Sequence, residues 1–345
     1  MALPDIWFVV MAGLFVGFFV LEGFDFGVGM LMSFFGRAGG AESERHRRAA
    51  LNTIGPVWDG NEVWLITAGG AMFAAFPDWY ATMFSGLYLP LLLILVTMIL
   101  RVVAIEWRGK VDDPQWRRWA DLGIAAGSWV PAVLWGVAFA ALVRGLPVDA
   151  EKQLRPGFSD LVNVYTLLGG LTTAGLFLLH GSVFVALKTD GAVRDDALRF
   201  ANRLAIPVTV VLATFGLWTQ LSYGKTWTWV VLIVAGLCHF AAMTRVWRRT
   251  GEGWAFASTC VVVGALVVLI FGAMYPYLMR STIDPAYSLT IANAASSQYT
   301  LTIMSWAAVV FAPMVLIYQG WTYWVFRQRI SADRIPDPVG LARRR

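Results

Sequence analysis

Two pairs of carboxylic acids lie inside long apolar segments near the start of the chain. Glu22 and Asp25 stand three residues apart in the first segment, and Asp59 and Glu62 stand three residues apart in the second. A carboxylate in hydrocarbon is costly, so it persists where it faces a partner or a water-filled cavity. Because acids at membrane depth can pass protons along a chain of water, we predict that all four are candidates for a proton relay. The alternative is a structural network of ion pairs that fixes helix packing.

One arginine and two tryptophans accompany these acids. Arg101 lies in the third apolar segment, at a similar depth, and is the predicted counter-ion for one of the carboxylates. Trp58 and Trp64 flank Asp59 and Glu62. Most tryptophans in membrane proteins pack or form interfacial belts. Beside deep acids, these two are also candidates to line the edge of a cofactor or a path for a gas.

The composition indicates an all-α polytopic membrane protein. Of the 345 residues, 58% are hydrophobic and only 14% are charged, and the mean hydropathy is +0.63. A spanning helix needs roughly 20 apolar residues. The first such segment is too long for a cleaved signal peptide, so we expect it to be retained. The sequence offers nine segments, at 6–35, 49–76, 79–106, 119–143, 159–188, 200–222, 226–247, 254–280 and 299–327.

A faint internal repeat suggests how the nine segments are arranged. Residues 19–23 in the first segment resemble residues 177–181 in the fifth. We therefore predict two parallel four-helix bundles, within residues 1–147 and 148–285, as in membrane folds built from parallel repeats. A ninth transmembrane helix and a basic cytoplasmic tail follow in residues 286–345. Chance similarity between apolar helices is the alternative.

The distribution of lysine and arginine predicts the orientation. Most of the 27 basic residues lie in the connections after the first, third, fifth, seventh and ninth segments. The positive-inside rule then places the N-terminus outside and the C-terminus in the cytoplasm. This topology, with some attraction to anionic lipid, explains the basic charge without any binding of nucleic acid.

These segments also predict that the four acids converge. Asp25 and Asp59 each lie ten residues from the cytoplasmic end of their segment, which is about 15 Å into the membrane. Glu22 and Glu62 lie one turn further out, on the same helical face as their partners. Because a short connection makes the first two helices antiparallel neighbours, we expect all four side chains near the middle of the bilayer.

Two histidines at matching depth suggest a haem site. His180 and His239 each lie about eight residues before the cytoplasmic end of two parallel segments, and two imidazoles can hold a b-type haem. Packed or hydrogen-bonded imidazoles are the commoner case. The sequence shows no phosphate loop, Cys–His cluster or nucleophile with a placed base. This pattern favours a subunit of a complex or a transporter over a self-contained enzyme.

The motifs described above resemble those of subunit II, the CydB-type subunit, of cytochrome bd quinol oxidases. The resemblance covers nearly the full length, including the number of spans, and its most specific part is the block GPVWDGNE at 55–62. The resemblance rests on four parts of the sequence: residues 23–29 (GFDFGVG), residues 52–64 (NTIGPVWDGNEVW), Arg101 after a long apolar run, and residues 288–297 (SLTIANAASS).

The resemblance implies a bacterial plasma membrane complex that reduces O2 to water with electrons from quinol. It implies a partner subunit I that ligates haem b and haem d, so this chain would hold no haem itself, contrary to the histidine hypothesis. It places Asp59 on a proton route to the haems and Asp25 on a second polar path. It places Trp58 near the subunit interface and Trp64 near an oxygen path. Small accessory subunits are compatible with it.

Two other functions remain open from the residues. A purely structural subunit of the same complex would use the acids only for assembly. A proton-coupled secondary transporter would also suit parallel repeats and carboxylates within the membrane. A transporter should move a solute when reconstituted alone, whereas an oxidase subunit should do nothing without its partner.

Overall fold

The structure, a computed structural model, is almost entirely helical and describes residues 2–35, 40–335 and 341–342. The last three arginines of the basic tail, at 343–345, lie outside the described residues. The helices are α1 (Leu3–Leu31), α2 (Gly40–Asn52), α3 (Trp58–Ala75), α4 (Pro77–Gly86), α5 (Tyr88–Trp107), α6 (Pro114–Arg144), α7 (Phe158–Leu161), α8 (Val164–Lys188), α9 (Gly191–Tyr223), α10 (Thr228–Arg248), α11 (Glu252–Met274), α12 (Ile291–Ala294) and α13 (Gln298–Val325).

In the part of the chain that the structure describes, four short strands form two small ladders outside the helices. Strand β1 (Val111–Asp112) pairs in parallel with β4 (Leu341–Ala342). Strand β2 (Tyr277–Met279) pairs in antiparallel fashion with β3 (Leu289–Thr290), across an irregularity in the register. Each ladder ties a connection to a neighbouring segment, and neither interrupts the helical layer.

Within the described residues, eight helices are long and apolar enough to cross a membrane: α1, α5, α6, α8, α9, α10, α11 and α13. The chain is therefore an all-α polytopic membrane protein, and eight of the nine predicted segments have such a helix. The second segment, 49–76, is not one continuous helix. It divides into the end of the polar helix α2 and the 18-residue helix α3, with a turn at 53–57 between them.

Two prolines account for the breaks in the predicted segments. Proline has no backbone N–H to donate to the carbonyl four residues earlier. Pro56 therefore leaves the carbonyl of Asn52 without its helical partner, and α2 ends at Asn52. Pro90 does the same to Gly86, where α4 ends and the third segment divides before α5.

Helix α1 lies at the centre of the molecule and crosses α8 at very short range. The crossing point is Gly27 against Gly181. A Cβ on Gly27 would lie 2.0 Å from the carbonyl oxygen of Phe177, and a Cβ on Gly181 would lie 2.5 Å from the carbonyl carbon of Gly27. Only glycine leaves room for two helix backbones at this distance, as at small-residue interfaces in membranes. The crossing sets the position of the acids of α1 relative to α8.

Helix α13 is the least covered of the long helices. Of its 28 residues only Leu301 is buried. The indole Nε1 of Trp7 in α1 donates to the hydroxyl of Ser305 at 3.1 Å and to the carbonyl of Leu301 at 3.3 Å. Near its other end, Gln319 and Tyr323 make polar contacts with α3, which are described below. The helix is thus fixed at two levels and is otherwise open along its length.

A cluster of ion pairs joins α2 to the ends of α5 and α6. Arg108 donates to both carboxylate oxygens of Glu44, at 2.7 and 2.9 Å, and to Asp121 at 2.6 Å, and Arg47 donates to Asp121 at 3.1 Å. Burial opposes the charge of Arg108, but hydrogen bonds to Glu44 and Asp121 outweigh it and raise the pKa of its guanidinium. We call this end of the molecule, which holds Glu44, Arg47, Arg108 and Asp121 together with the further basic residues Arg45, Arg48 and Arg117, the basic end.

Candidate functional site

Arg101 of α5 lies fully buried between acids from two other helices. Its Nη2 is ion-paired with Glu22 of α1, and the same nitrogen donates to Oε1 of Glu62 of α3 at 3.1 Å. The side chains of Arg101 and Glu22 are 0% exposed, and that of Glu62 is 20% exposed. The guanidinium also lies 4.8 Å from the centre of the Phe26 ring. One cation therefore joins three helices at a single point.

A glycine on α6 makes room for this arginine. A Cβ on Gly127 would lie 2.4 Å from the Cβ of Arg101 and 2.3 Å from the carbonyl oxygen of Thr97. Because no side chain larger than hydrogen fits there, α6 packs directly against the backbone of α5.

Asp25 is held by an amide rather than by the arginine. The Nδ2 of Asn61 in α3 donates to Oδ2 of Asp25 at 2.7 Å, and both side chains are fully buried. The Oδ1 of Asn61 accepts from the hydroxyl of Tyr323 at 2.7 Å and from Nε2 of Gln319 at 3.3 Å. The indole Nε1 of Trp64 in turn donates to Oε1 of Gln319 at 2.8 Å. These hydrogen bonds connect α13 to the acids of α1.

Asp59 lies apart from the other acids, so the four carboxylates do not meet as expected. Its side chain is exposed, and its Oδ1 accepts from the backbone N–H of Gly60 at 2.8 Å. The buried face of α3 follows Asn61, Ala68 and Met72. Asp59 precedes Asn61 by two residues, which turns it about 200° around the helix and away from that face.

The acids also lie closer to a helix end than the sequence predicted. Helix α1 ends at Leu31, four residues before the end of the predicted segment. Asp25 is therefore six residues, or about 9 Å, from the end of its helix, where about 15 Å was expected. Asp59 is the second residue of α3. Helix α1 ends before the predicted position because residues 32–35 form turns, and α3 begins after the predicted start because residues 53–57 form a turn.

The two tryptophans differ in their surroundings. Trp58, the first residue of α3, is half-buried. The ring of Trp64 packs against α1 at Gly17, where a Cβ would lie 2.1 Å from the ring, and its N–H is used by Gln319. Trp64 is therefore tied to the hydrogen bonds around Asp25.

The histidines do not fit a haem site. The Nδ1 of His180 lies 2.7 Å from the hydroxyl of Thr259, and its Nε2 lies 3.1 Å from the carbonyl oxygen of Val20. The ring also stacks on Phe256 with the two planes 1° apart. Because both nitrogens of His180 are engaged within the protein, the pair formed by His180 and His239 provides no two free imidazoles for an iron.

The charges of the site determine what it can do. Arg101 is ion-paired with Glu22 and Glu62, and Asp25 lies nearby with only an amide partner, so the cluster holds three carboxylates and one cation. Among the described residues, Oε2 of Glu22 and Oδ1 of Asp25 are buried with no hydrogen-bond partner. Glu62 lines a cavity of about 630 Å³ between α3, α4 and α5. The rest of the cavity lining is mostly apolar, as at Ile66, Leu95 and Ile99. It is therefore the excess of carboxylates that suits the binding and release of protons.

Sequence reasoning missed three residues of this site: Asn61, Gln319 and Tyr323. Asn61 stands directly before Glu62, and an amide inside an apolar helix was a signal that went unused. Gln319 and Tyr323 lie four residues apart, on one face of an otherwise apolar segment. Their partner could not be found from spacing, because Asn61 is 258 residues away from Gln319.

Comparison with known proteins identifies the family. The family model described as cytochrome bd terminal oxidase subunit II matches residues 3–326. This chain belongs to that family. It is 42% identical over 337 residues to the cytochrome bd ubiquinol oxidase subunit 2 of Bacillus subtilis (strain 168), covering 96% of this chain and 97% of the relative. It is 33% identical over 372 residues to the cytochrome bd-I ubiquinol oxidase subunit 2 of Escherichia coli (strain K12), covering 96% of each.

A solved structure shares the fold of this family member. A chain of the bd oxidase from Geobacillus thermodenitrificans superposes with a TM-score of 0.77, covering 94% of this chain and 99% of the other. The two sequences are 16% identical, so this likeness supports the fold alone. The family expected from the motifs of the sequence is confirmed.

Proposed function

We propose that this chain acts as subunit II of a membrane-bound quinol oxidase that reduces O2 to water. The observation that carries the proposal is the family match over residues 3–326, which includes every residue of the buried acid cluster. In such a complex, haem b and haem d, ligated by a partner subunit I, supply the electron transfer and the oxygen chemistry. The residues of this chain would bind, hold and pass protons.

The acids would form the proton route. Reduction of O2 to water consumes protons, which must cross part of the membrane through fixed polar groups. Glu62 borders the cavity between α3, α4 and α5, and Arg101 joins it to Glu22. Asp25 is one turn from Glu22. Arg101 would serve as the counter-ion that keeps this group of acids stable.

The face that carries Asp59 would meet subunit I. An exposed carboxylate on a helix beside the apolar surface of the protein is costly against lipid, so it needs water or a protein partner. Helix α13 packs beside α3 and leaves nearly all of its apolar surface open. A partner that covers the open side of α13 would also have to reach the opposite side of α3, where Asp59 would be the entry to the route. Trp58, adjacent to Asp59, would then lie at the interface.

The proposed topology has the basic end in the cytoplasm and the N-terminus outside, in a bacterial plasma membrane. The positive-inside rule supports this orientation, because Arg47 and Arg108 lie at that end. Helices α1 and α3–α6 would form one bundle and α8–α11 a second, with α13 outside both. The close contact between α1 and α8, the first helices of the two halves, supports a parallel repeat.

Single neutral substitutions in the assembled oxidase test the route. We expect Asp59→Asn and Asp25→Asn to slow quinol-driven oxygen consumption while the haem spectrum stays near normal. Glu151→Gln is the control, because Glu151 is an exposed acid in the connection before α7. Wild-type turnover in both acid variants would contradict the proton route.

A structural role for the cluster is the second candidate, and the buried ion pair between Arg101 and Glu22 favours it. In that case the acid substitutions would lower the yield of assembled complex and its activity in the same proportion. Turnover per haem distinguishes the two functions, because it falls only when the acids take part in proton transfer.

A further inference from the structure

A chain of hydrogen bonds with a single direction runs from Trp64 to Asp25. Trp64 donates to Gln319 at 2.8 Å, Gln319 donates to Asn61 at 3.3 Å, and Asn61 donates to Asp25 at 2.7 Å. Tyr323 donates to the same oxygen of Asn61 at 2.7 Å. The chain passes from α3 to α13, back to α3 and on to α1.

The chemistry of Trp64 fixes this direction. An indole N–H can only donate, whereas each side-chain amide has one donating and one accepting end. Gln319 must therefore turn its oxygen to Trp64 and its nitrogen to Asn61. Asn61 must turn its oxygen to Gln319 and Tyr323, which leaves its nitrogen for the Asp25 carboxylate. The two amides have no other orientation that satisfies every partner.

This direction has a consequence for the two oxygens of Asp25. Oδ2 already accepts a hydrogen bond from Asn61, so a proton on the carboxyl group belongs on Oδ1. Within the part of the chain that the structure describes, Oδ1 is buried and has no hydrogen-bond partner. A neutral amide does not take up and release protons near neutral pH, so a proton on Asp25 has no exit toward α13.

We propose that Asn61 is a positioning residue that holds Asp25 by Oδ2 and thereby makes Oδ1 the oxygen that binds and releases the transferred proton. Gln319, Trp64 and Tyr323 orient the amide of Asn61. The inference rests on the proposed proton route and assigns its geometry at Asp25. Trp64 acts through two amides on an acid, rather than through contact with a cofactor.

The test is the pH dependence of quinol-driven oxygen consumption by the assembled oxidase. Asn61→Leu keeps the volume but removes the donor to Asp25. Because a donor favours the ionised form of a carboxyl group, its loss shifts the pH of half-maximal turnover upward by about one unit. Trp64→Phe keeps an aromatic side chain but removes the N–H that donates to Gln319 and loosens the orientation of the amides, so it shifts the profile the same way by less. Tyr318→Phe, an exposed tyrosine on α13, leaves the profile unchanged.

Repeating the measurement in an enzyme that already carries Asp25→Asn distinguishes a positioning role of Asn61 from a structural one. If Asn61 acts through Asp25, then Asn61→Leu produces no further shift in an enzyme that already carries Asp25→Asn. An unchanged profile in Asn61→Leu, or an equal shift in the two backgrounds, would overturn the inference. If Asn61→Leu does not assemble, the profile of Trp64→Phe decides: an unchanged profile overturns the inference.

The two proposals can fail separately. Wild-type turnover in Asp25→Asn would remove Asp25 from the proton route, and the inference would fall with it. Slow turnover in Asp25→Asn together with an unchanged profile in Asn61→Leu would leave the route in place and remove only the role of Asn61.

Discussion

Replacing Arg101 by leucine is the most informative perturbation of the buried cluster. The substitution removes the cation shared by Glu22 and Glu62 and leaves both acids without it. Breaking a buried ion pair by removal of one partner costs about 3–5 kcal/mol. For a chain of 345 residues, whose unfolding entropy is about 0.7 kcal/mol/K, that loss lowers the melting temperature by about 4–7 °C. Arg101→Lys keeps the charge but loses the planar guanidinium, so we expect its melting temperature to lie between those of the wild type and Arg101→Leu.

The assay is thermal unfolding of the purified complex, together with assembly yield and turnover per haem. Arg101→Leu should lower stability and yield more than it lowers turnover per haem. Adding Glu22→Gln should restore part of the stability, because the fully buried acid then no longer needs a cation. Arg144→Leu, at the exposed end of α6, is the control. A melting temperature for Arg101→Leu within about 2 °C of the wild type would refute the reasoning.

Three further predictions concern how the site is supported. Gly127→Val should push α6 away from Arg101 and cost about 1–3 kcal/mol in thermal unfolding, whereas Gly70→Val, at a position with nothing within 4 Å, should have little effect; equal losses would contradict the close contact. Arg108→Gln should release Glu44 and speed proteolysis or hydrogen exchange in α2, and unchanged protection there would show that the ion pairs at the basic end do not hold that helix. Trp7→Phe removes the bond to Ser305 and should expose α13 to faster hydrogen exchange at its N-terminal end; equal exchange in both proteins would exclude that anchor.

The sequence predicts the membrane helices well because hydropathy is a local property. Length and apolar composition identify eight of the spans without any tertiary information. The same reasoning failed at 49–76, where it counted α2 and α3 together and gave too little weight to Pro56. A proline at that position removes one hydrogen bond, but whether the helix bends or stops depends on what surrounds it.

The direction in which each side chain points was harder to predict. Glu22, Glu62 and Arg101 meet as spacing suggested, but Asp59 faces outward. Spacing defines which residues share a helical face, whereas tertiary packing decides which face turns inward. The role of Asn61 depends on α13, which lies far along the chain and packs beside α3 only in the folded protein.

The sparse attachment of α13 has a consequence for how the protein is built. A helix with one buried residue gains little from packing on its own chain. Its place is decided by the hydrogen bonds that Trp7 and Trp64 donate to it, by the bond that Tyr323 donates to Asn61, and by whatever lies against its open side. The same Asn61 that accepts from Tyr323 through Oδ1 donates to Asp25 through Nδ2. Under the proposed role of Asn61, placement of the last helix and orientation of Asp25 are one event, and a chain whose α13 is not docked would be folded but inactive in proton transfer.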